Sequence, residues 1–217
     1  MNMPKTKTVK KTPNDFEHDA WAKGKYLLGI DEAGRGPLAG PLTVAGVIFE
    51  PGYENPDIYD SKGLSEKKRD ALYETIMEDA LWFQIVQVSE ADIDRYDIYH
   101  ADQLAMAQIV REAPEAVVVT DAMPLDFPDR EVYHPVKGDQ KSVSVAAASI
   151  LAKVTRDRTM LMYDEVWPVY GFAKNKGYPT KAHLEAIEKY GITEIHRRSF
   201  APVRAVQTKL DLFGEEF

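Results

Sequence analysis

Residues 26–41 read YLLGIDEAGRGPLAGP: an apolar run ends in two acids and passes into a segment rich in glycine and proline. The run 26–30 has the composition and length of a buried β-strand. Asp31 and Glu32 follow it, and because neighbouring strand residues point to opposite faces, both acids can serve one site only where the strand ends or bulges. The glycines that follow allow such a break, since glycine accepts backbone angles that other residues avoid. Two solvated acids at an ordinary strand-to-loop transition are the alternative interpretation.

Outward from this stretch, strand-like and helix-like patterns alternate along the chain. Further strands are predicted at residues 42–49, 82–88 and 117–120, and an edge strand at 131–136. Helices are predicted at residues 65–80, 101–112, 141–163 and 181–190. Such interleaving, followed by a helical and basic section, is typical of an α/β domain with a helical subdomain. We expect this organisation: a flexible basic N-terminal tail at 1–24, an α/β domain at 25–165, a helical subdomain at 166–205 and a C-terminal tail at 206–217.

Two further acids stand at the ends of apolar elements or inside them. Asp121 directly follows the β-branched run 117–120, and ligand sites in open α/β sheets lie outside the carboxyl ends of strands. Asp157 falls on the apolar stripe of its helix, within about 40° of one line at about 100° per residue. The other members of the stripe are Val143, Ala147, Ile150, Val154 and Leu161. The alternatives are a turn or cap for Asp121, and for Asp157 a frayed helix end or an ion pair with a neighbouring arginine.

Four carboxylates of this kind suit hard divalent cations, which take oxygen ligands and need neither cysteine nor histidine. A carboxylate among apolar groups is costly unless it is paired, protonated or bound to a cation. Two cations about 4 Å apart can activate water and stabilise the leaving oxygen of a phosphodiester. The sequence therefore predicts metal-dependent phosphoryl hydrolysis at four acids: Asp31, Glu32, Asp121 and Asp157.

Composition gives mixed indications about the partner. The formal net charge is -8, from 27 Lys and Arg against 35 Asp and Glu, and an acidic protein is an unusual partner for nucleic acid. The charge is uneven, because residues 50–131 hold 20 acids and 7 bases, whereas residues 174–209 hold 3 acids and 8 bases. Without cysteines, a secretory signal or a long apolar span in the sequence, we expect a cytoplasmic protein that does not cross a membrane. We expect His183 and His196, which lack metal-ligand spacing, at the surface or at helix caps.

Four blocks, in this order along the chain, resemble ribonuclease HII: Gly29–Pro41 (GIDEAGRGPLAGP), Asp60–Lys62 (DSK), Ala146–Asp157 (AAASILAKVTRD) and Gly177–Thr180 (GYPT). The resemblance covers about residues 26–205 and implies a ribonuclease H-like mixed sheet flanked by helices, with a C-terminal helical subdomain that binds substrate. It implies cleavage of the RNA strand of RNA/DNA hybrids and 5′ of single ribonucleotides in duplex DNA, leaving 3′-hydroxyl and 5′-phosphate ends. It places the family's metal-binding acids on the four acids above, with Mg²⁺ or Mn²⁺ as the cofactor.

The resemblance also implies substrate-binding residues. The family's glycine-arginine-glycine motif falls on Gly34, Arg35 and Gly36, and its junction tyrosine on Tyr178. Glycines let main-chain groups approach the ribose 2′-hydroxyl, and a tyrosine ring can stack on the adjacent sugar or base. Lys62 in the second block is expected to contact a backbone phosphate. A duplex-holding surface is expected from the C-terminal bases: Lys174, Lys176, Lys181, Arg197, Arg198 and Arg204.

Residues 207–214 (QTKLDLFG) resemble the sliding-clamp-binding box at the C-termini of archaeal ribonucleases HII. Gln207 is followed by an aliphatic and then an aromatic residue at steps of three, which puts Leu210 and Phe213 on one side of a helical turn. The second aromatic residue of the box is absent, because Gly214 stands there. We expect this tail to bind a DNA sliding clamp; the alternatives are that it folds back on its own domain or stays loose. We expect a monomer.

Two other classes of protein share features with this sequence. The segment 34–39 matches the G-x-G-x-x-G/A pattern of dinucleotide-binding oxidoreductases. Asp31 and Glu32 would repel a pyrophosphate, however, and Pro41 removes a hydrogen bond where the following helix should run. A non-catalytic nucleic-acid-binding module, the other class, does not explain an acid on the core stripe of a helix.

Overall fold

The computed structural model describes residues 14–59 and 61–213, without the side chains of Lys62 and residues 209–213. Within them the strands are β1 Tyr26–Ala33, β2 Leu42–Ile48, β3 Trp82–Val88, β4 Ala116–Thr120 and β5 Val132–Tyr133. They form one mixed five-stranded sheet in the order β3-β2-β1-β4-β5, in which β4 runs parallel to both of its neighbours. Branched and apolar residues fill β1, β2 and β4, and these strands are buried along almost their whole length.

Helices lie between and after the strands. They are α1 Asp15–Ala22, α2 Glu66–Asp79, α3 Glu90–Tyr96, α4 Ile98–Glu112, α5 Val143–Val166, α6 Phe172–Asn175, α7 Lys181–Tyr190 and α8 Ala201–Phe213. The predicted α/β class is confirmed, because periodicity located each strand core and four of the eight described α-helices: α2, α4, α5 and α7. Among the described helices, none combines the length and the apolar character that crossing a bilayer requires.

Helix α1 corrects the predicted N-terminal tail. Residues 1–13 lie outside the described residues, but Asp15–Ala22 is helical rather than flexible. Glu17 is buried, and its carboxylate accepts hydrogen bonds from the Ser142 hydroxyl and from the Ser144 amide in the first turn of α5. Burial raises the pKa of Glu17, and these donors offset part of the cost of burying its charge. The composition of a short segment cannot reveal a contact with residues so distant in the chain.

Two other elements differ from the prediction. Strand β5 has only two residues rather than the six predicted at 131–136. Helix α3 was overlooked, although its start carries a usual signal: the Ser89 side chain accepts a hydrogen bond from the Asp92 amide. Asp97, with a φ of 62°, separates α3 from α4. A helix of seven residues is too short for periodicity to reveal it.

The chain divides into two interleaved compact units. The first unit contains the described residues up to Asp31 together with Gly46–Phe83 and Ala113–Ile150. The second unit contains Glu32–Ala45, Gln84–Glu112 and the described residues from Leu151 onward. This division differs from the predicted boundary after residue 165, because residues from the first half of the chain belong to the second unit.

Candidate active site

Asp31 and Asp121 stand at matching positions on neighbouring strands of the first unit. The parallel pairing of β1 with β4 ends with Ile30 opposite Thr120. The Asp121 amide donates to the Ile30 carbonyl at 3.2 Å, which extends the ladder one residue beyond β4. Each acid is the next residue after the last pair, so both lie at the edge where ligand sites of open α/β sheets form.

The side chains of these two acids have different environments. Asp31 is buried, whereas Asp121 is partly exposed. Oδ1 of Asp121 accepts a hydrogen bond from the Gly138 amide at 2.8 Å, in the turn that precedes α5. This bond orients the Asp121 carboxylate at the end of its strand.

The second unit contains Glu32 and Asp157, whose side chains are mostly buried. Nζ of Lys153 lies 2.7 Å from Oδ1 of Asp157, one turn away on α5. Nη1 of Arg35 lies 3.9 Å from Oε1 of Glu32. Each acid therefore has a cationic side chain beside it, as a carboxylate removed from water requires. The ion pair that the structure describes for Asp157 is formed with Lys153.

The stripe predicted on α5 extends only part of the way along the helix. Its members up to Val154 are buried, but Leu161 is 41% exposed. In the second half of the helix the buried residues are Arg156, Thr159 and Met160, which point to another side. A helix that is covered on different sides along its length cannot be described by a single stripe. Asp157 lies at the end of the buried stripe, between the buried Val154 and the exposed Leu161.

The four acids fit a hard divalent cation by their chemistry, because Mg²⁺ and Mn²⁺ prefer carboxylate oxygens. Within residues 14–59 and 61–213, no three Asp, Glu or His side chains are grouped so that they could hold a metal ion. Asp31 and Asp121 belong to the first unit, and Glu32 and Asp157 belong to the second. The ammonium group of Lys153 is bound to one carboxylate oxygen of Asp157, one of the four predicted metal-binding acids.

The predicted glycine-arginine-glycine motif lies next to the predicted junction tyrosine in the second unit. A Cβ atom placed on Gly36 would stand 3.5 Å from Cε1 of Tyr178. The Leu38 amide donates to the Gly177 carbonyl at 2.8 Å and ties the two segments together. Gly36 is exposed, and Tyr178 is 43% exposed. An open glycine beside an exposed ring can receive a sugar or a base.

His183 and His196 are buried, so their predicted placement at the surface or at caps is wrong. The Thr193 amide donates to Nδ1 of His196, so Nε2 of that ring carries the proton and donates to Nε2 of His183 at 3.2 Å. Nδ1 of His183 then donates to the Tyr178 carbonyl at 2.9 Å. Burial lowers the pKa of both rings, that of His196 to about 4, so both are neutral at pH 7. The histidine pair therefore holds the backbone of Tyr178.

Comparison with known proteins decides the family. The sequence profile described as Ribonuclease HII matches residues 28–203. The chain belongs to the ribonuclease HII family. It is 49% identical over 203 residues to ribonuclease HII of Clostridioides difficile strain 630, covering 92% of this chain and 79% of that protein. It is 50% identical over 199 residues to ribonuclease HII of Listeria monocytogenes serotype 4a, covering 90% and 76%.

Solved structures support the fold. The ribonuclease H2 of Pyrococcus horikoshii OT3 superposes with a TM-score of 0.73 at 24% identity, covering 86% of this chain and 99% of that one. The PCNA:RNase HII complex of Archaeoglobus fulgidus gives a TM-score of 0.67 at 29% identity, covering 79% and 93%. The predicted ribonuclease H-like fold is therefore confirmed.

Family membership establishes the broad activity of this ribonuclease HII. It is a ribonuclease H that depends on divalent metal ions and cleaves RNA in RNA/DNA hybrids as an endonuclease. The acidic net charge therefore did not exclude a nucleic-acid substrate. A whole-molecule charge gives the average of the surface, and the C-terminal section is basic.

Some of the predicted contact residues lie elsewhere than expected. Arg197 is completely buried, so it is not part of a duplex-holding surface. The other C-terminal bases are exposed or partly exposed: Lys174, Lys176, Lys181, Arg198 and Arg204. Gln207 is partly exposed on α8, whereas the side chains of Lys62, Leu210 and Phe213 lie outside the described residues.

Asp102, a buried acid on α4, was not predicted as a site residue. Nε of Arg35 lies 3.4 Å from Oδ2 of Asp102, so the motif arginine of ribonuclease HII stands between this acid and Glu32. The signal was available, because Asp102 shares the helix face of the buried residues Met106 and Ile109 at helical spacing. It is the same kind of signal that identified Asp157.

Proposed function

We propose that this ribonuclease HII, besides cleaving the RNA of hybrids, nicks duplex DNA on the 5′ side of a single embedded ribonucleotide and leaves 3′-hydroxyl and 5′-phosphate ends. The observation that carries the proposal is the adjacency of the exposed Gly36 and the exposed ring of Tyr178. A single ribonucleotide differs from DNA in its sugar only by the 2′-hydroxyl. Its recognition requires a close approach of the main chain on one side and a group that contacts the next sugar on the other.

The orientation of the motif supports main-chain recognition. The carbonyl groups of Gly34 and Arg35 accept hydrogen bonds from the buried guanidinium of Arg197. In a trans peptide unit the C=O and N–H groups point in opposite directions, so the amides of Arg35 and Gly36 face away from Arg197. Both residues are exposed. We infer that these amides donate to the 2′-hydroxyl or to an adjacent phosphate oxygen.

The side chain of Arg35 has a different role in this proposal. Its guanidinium lies close to Glu32 and Asp102, so it offsets their negative charges. Tyr178 then contacts the following nucleotide, where a deoxyribose fits against the ring and a ribose 2′-hydroxyl would clash. The site would thereby select the junction between RNA and DNA.

The metal ions, in this proposal, are two Mg²⁺ or Mn²⁺ held by four acids: Asp31, Glu32, Asp121 and Asp157. Bound there, divalent cations supply Lewis acidity that generates hydroxide from water and stabilises the leaving 3′-oxygen. Asp31 and Asp121 support this assignment, because paired strands fix their backbones at a sheet edge. Lys153 and Arg35 would limit the repulsion between the acids before cations bind.

Exposed bases of the second unit would hold the duplex without reading its sequence, because phosphate contacts position a protein on nucleic acid. The candidates are Lys174, Lys176, Lys181, Arg198 and Arg204. We assign Lys62 a backbone-phosphate contact on the basis of its place in the family motif alone.

The Tyr178→Ala variant tests junction recognition. We expect it to cleave a duplex with one ribonucleotide about 10- to 100-fold more slowly than the wild type, because loss of a stacking ring costs about 1–3 kcal/mol. Cleavage of a long hybrid should fall much less. Rates on the two matched substrates give the comparison, and Tyr96→Ala, which removes a 40% exposed ring of the same unit, is the control. Cleavage of the single-ribonucleotide duplex at the wild-type rate would refute the role of Tyr178.

The C-terminal tail is proposed to bind the DNA sliding clamp through Gln207, Leu210 and Phe213. The Archaeoglobus fulgidus relative was solved as a complex with PCNA. In this chain α8 continues to Phe213, so all three positions belong to a helix. Val203 and Val206 pack in the second unit upstream of the box.

A double variant with Leu210→Ala and Phe213→Ala tests this partner. We expect it to lose pull-down by the sliding clamp of the source organism, because the apolar side chains of the box are removed. Basal cleavage should remain at the wild-type level, since in this proposal these residues bind the clamp and not the substrate. Unchanged pull-down would show that the tail is not a clamp-binding box.

A further inference from the structure

Arg156 and Arg197 are buried arginines of the second unit, with exposures of 1% and 0%. A buried charge is costly unless hydrogen bonds compensate it. The hydrogen-bond acceptors that the structure gives these guanidinium groups are main-chain carbonyls. Nearly all of those carbonyls belong to residues 34–41, which we call the glycine loop. The loop contains the glycine-arginine-glycine motif.

Arg197 joins the two ends of the glycine loop. Its Nη2 donates to the Gly34 carbonyl at 2.7 Å and to the Gly40 carbonyl at 2.8 Å. Nε also donates to Gly40 at 2.9 Å, and Nη1 donates to the Arg35 carbonyl at 3.2 Å. These bonds turn the carbonyls of the motif inward, and the following amides outward. Arg197 thus fixes the groups that we assign to ribonucleotide recognition.

Arg156 joins the glycine loop to the segment before Tyr178. Its Nε donates to the Pro41 carbonyl at 2.9 Å and its Nη2 to the Ala39 carbonyl at 3.1 Å. Its Nη1 donates to the Lys176 carbonyl at 2.9 Å. A single planar group therefore sets the distance between the loop and the residue two positions before the tyrosine. Lysine, with one ammonium group, cannot reproduce such a fork.

Burying Arg156 and Arg197 has an electrostatic cost, so packing alone does not account for these two residues. Burial lowers the pKa of both arginines, that of Arg197 to about 9, and the positive charge of Arg156 contributes to that lowering. Two like charges are thus kept near one another. The carboxylate of Glu90 offsets part of the repulsion, since it favours the charged form of both. An apolar pair would fill the same space without this cost.

We propose that Arg156 and Arg197 are positioning residues for the junction specificity of this ribonuclease HII. Arg197 orients the amides of Arg35 and Gly36, and Arg156 sets the separation between that motif and Tyr178. The inference rests on the proposed cleavage at single ribonucleotides. It extends that proposal by assigning the specificity to residues that face the interior.

The test uses Arg156→Lys and Arg197→Lys in the full-length protein, with Arg95→Lys, an exposed arginine of the same unit, as the control. Rates are measured on a long hybrid and on a duplex with one ribonucleotide. We expect the ratio of the second rate to the first to fall about 10- to 100-fold in both variants, the size of effect that a misplacement of about 1 Å produces. The control should keep the wild-type ratio. Hydrogen exchange of the Leu38 amide, which donates to Gly177, reports the contact between the segments.

A double-mutant cycle separates positioning from a general structural role. If Arg156 acts through Tyr178, then Tyr178→Ala should change the ratio by no more than about twofold in the Arg156→Lys background. The inference would be overturned if the effects of the two substitutions on the ratio were additive, or if the cleavage rates on both substrates fell equally. The proposed function would still stand in either case. A wild-type protein that cleaves the hybrid but not the single-ribonucleotide duplex would overturn both. If either Arg156→Lys or Arg197→Lys does not melt cooperatively, the ratio of cleavage rates measured for the other variant decides the outcome.

Discussion

A protein carrying Asp31→Asn is expected to cleave an RNA/DNA hybrid about 1000-fold more slowly than the wild type, or not at all. Asparagine keeps the size of the side chain but removes the negative charge that holds a divalent cation. Metal-ion catalysis supplies several kcal/mol of transition-state stabilisation, and each ~1.4 kcal/mol corresponds to a tenfold change in rate. We expect the same loss from Asp157→Asn, and the measurement is the initial cleavage rate in Mg²⁺.

Folding of the Asp31→Asn variant is checked by its melting temperature. The melting temperature of the variant should lie within about 4 °C of the wild-type value, because neither packing nor side-chain volume changes. Asp126→Asn is the matched control, since it neutralises an exposed acid of the same unit, and it should keep the wild-type rate. A folded Asp31→Asn protein with more than about a tenth of the wild-type rate would remove Asp31 from the proposed metal site.

The Gly34→Ala variant is expected to cleave a duplex with one ribonucleotide about 100-fold more slowly than the wild type. Gly34 has a φ of 103°, where a side chain costs about 1–2 kcal/mol. A methyl group there would overlap Nε and Cδ of Arg156 and stand 2.9 Å from the Pro41 carbonyl. Because Arg156 is held by three carbonyls, it cannot move without releasing them. The loop must therefore shift, and the amides of the motif shift with it.

Gly52→Ala provides the matched control for Gly34→Ala. Gly52 has a φ of 87°, but a Cβ there would meet no atom within 4 Å. The Gly52→Ala variant should therefore show the destabilisation caused by backbone strain without any change in the cleavage rate. Rates on the single-ribonucleotide duplex and melting temperatures are compared for the two variants. Equal cleavage by Gly34→Ala and the wild type would show that the conformation of the glycine loop does not matter for recognition.

The parts of the fold that were predicted correctly are those set by local patterns. The apolar runs before Asp31 and Asp121 mark strands because burial on both faces leaves little choice of residue. Asp121 was correctly placed after its strand, whereas β1 continues through Asp31 to Ala33. Helix α1 was missed because the contact of Glu17 with the start of α5 depends on the folded chain.

The features of the site that were missed depend on tertiary contacts. Arg197 was assigned to the surface because a basic segment is usually solvated, yet its guanidinium is enclosed by the glycine loop. Similarly, His183 and His196 have no ligand spacing, and their role in holding Tyr178 appears only once the rings are placed. Sequence periodicity reports which side of an element is covered, but it does not report what covers it.

The most direct test of the central claim is a nick-mapping assay with the wild-type protein on a labelled DNA duplex that contains one ribonucleotide. We expect one nick on the 5′ side of the ribonucleotide, an upstream product that a DNA polymerase can extend from its 3′-hydroxyl, and activity only in the presence of Mg²⁺ or Mn²⁺. Full activity in excess chelator would contradict the metal-carboxylate mechanism. An intact duplex, under conditions in which an RNA/DNA hybrid is cleaved, would contradict recognition of the junction.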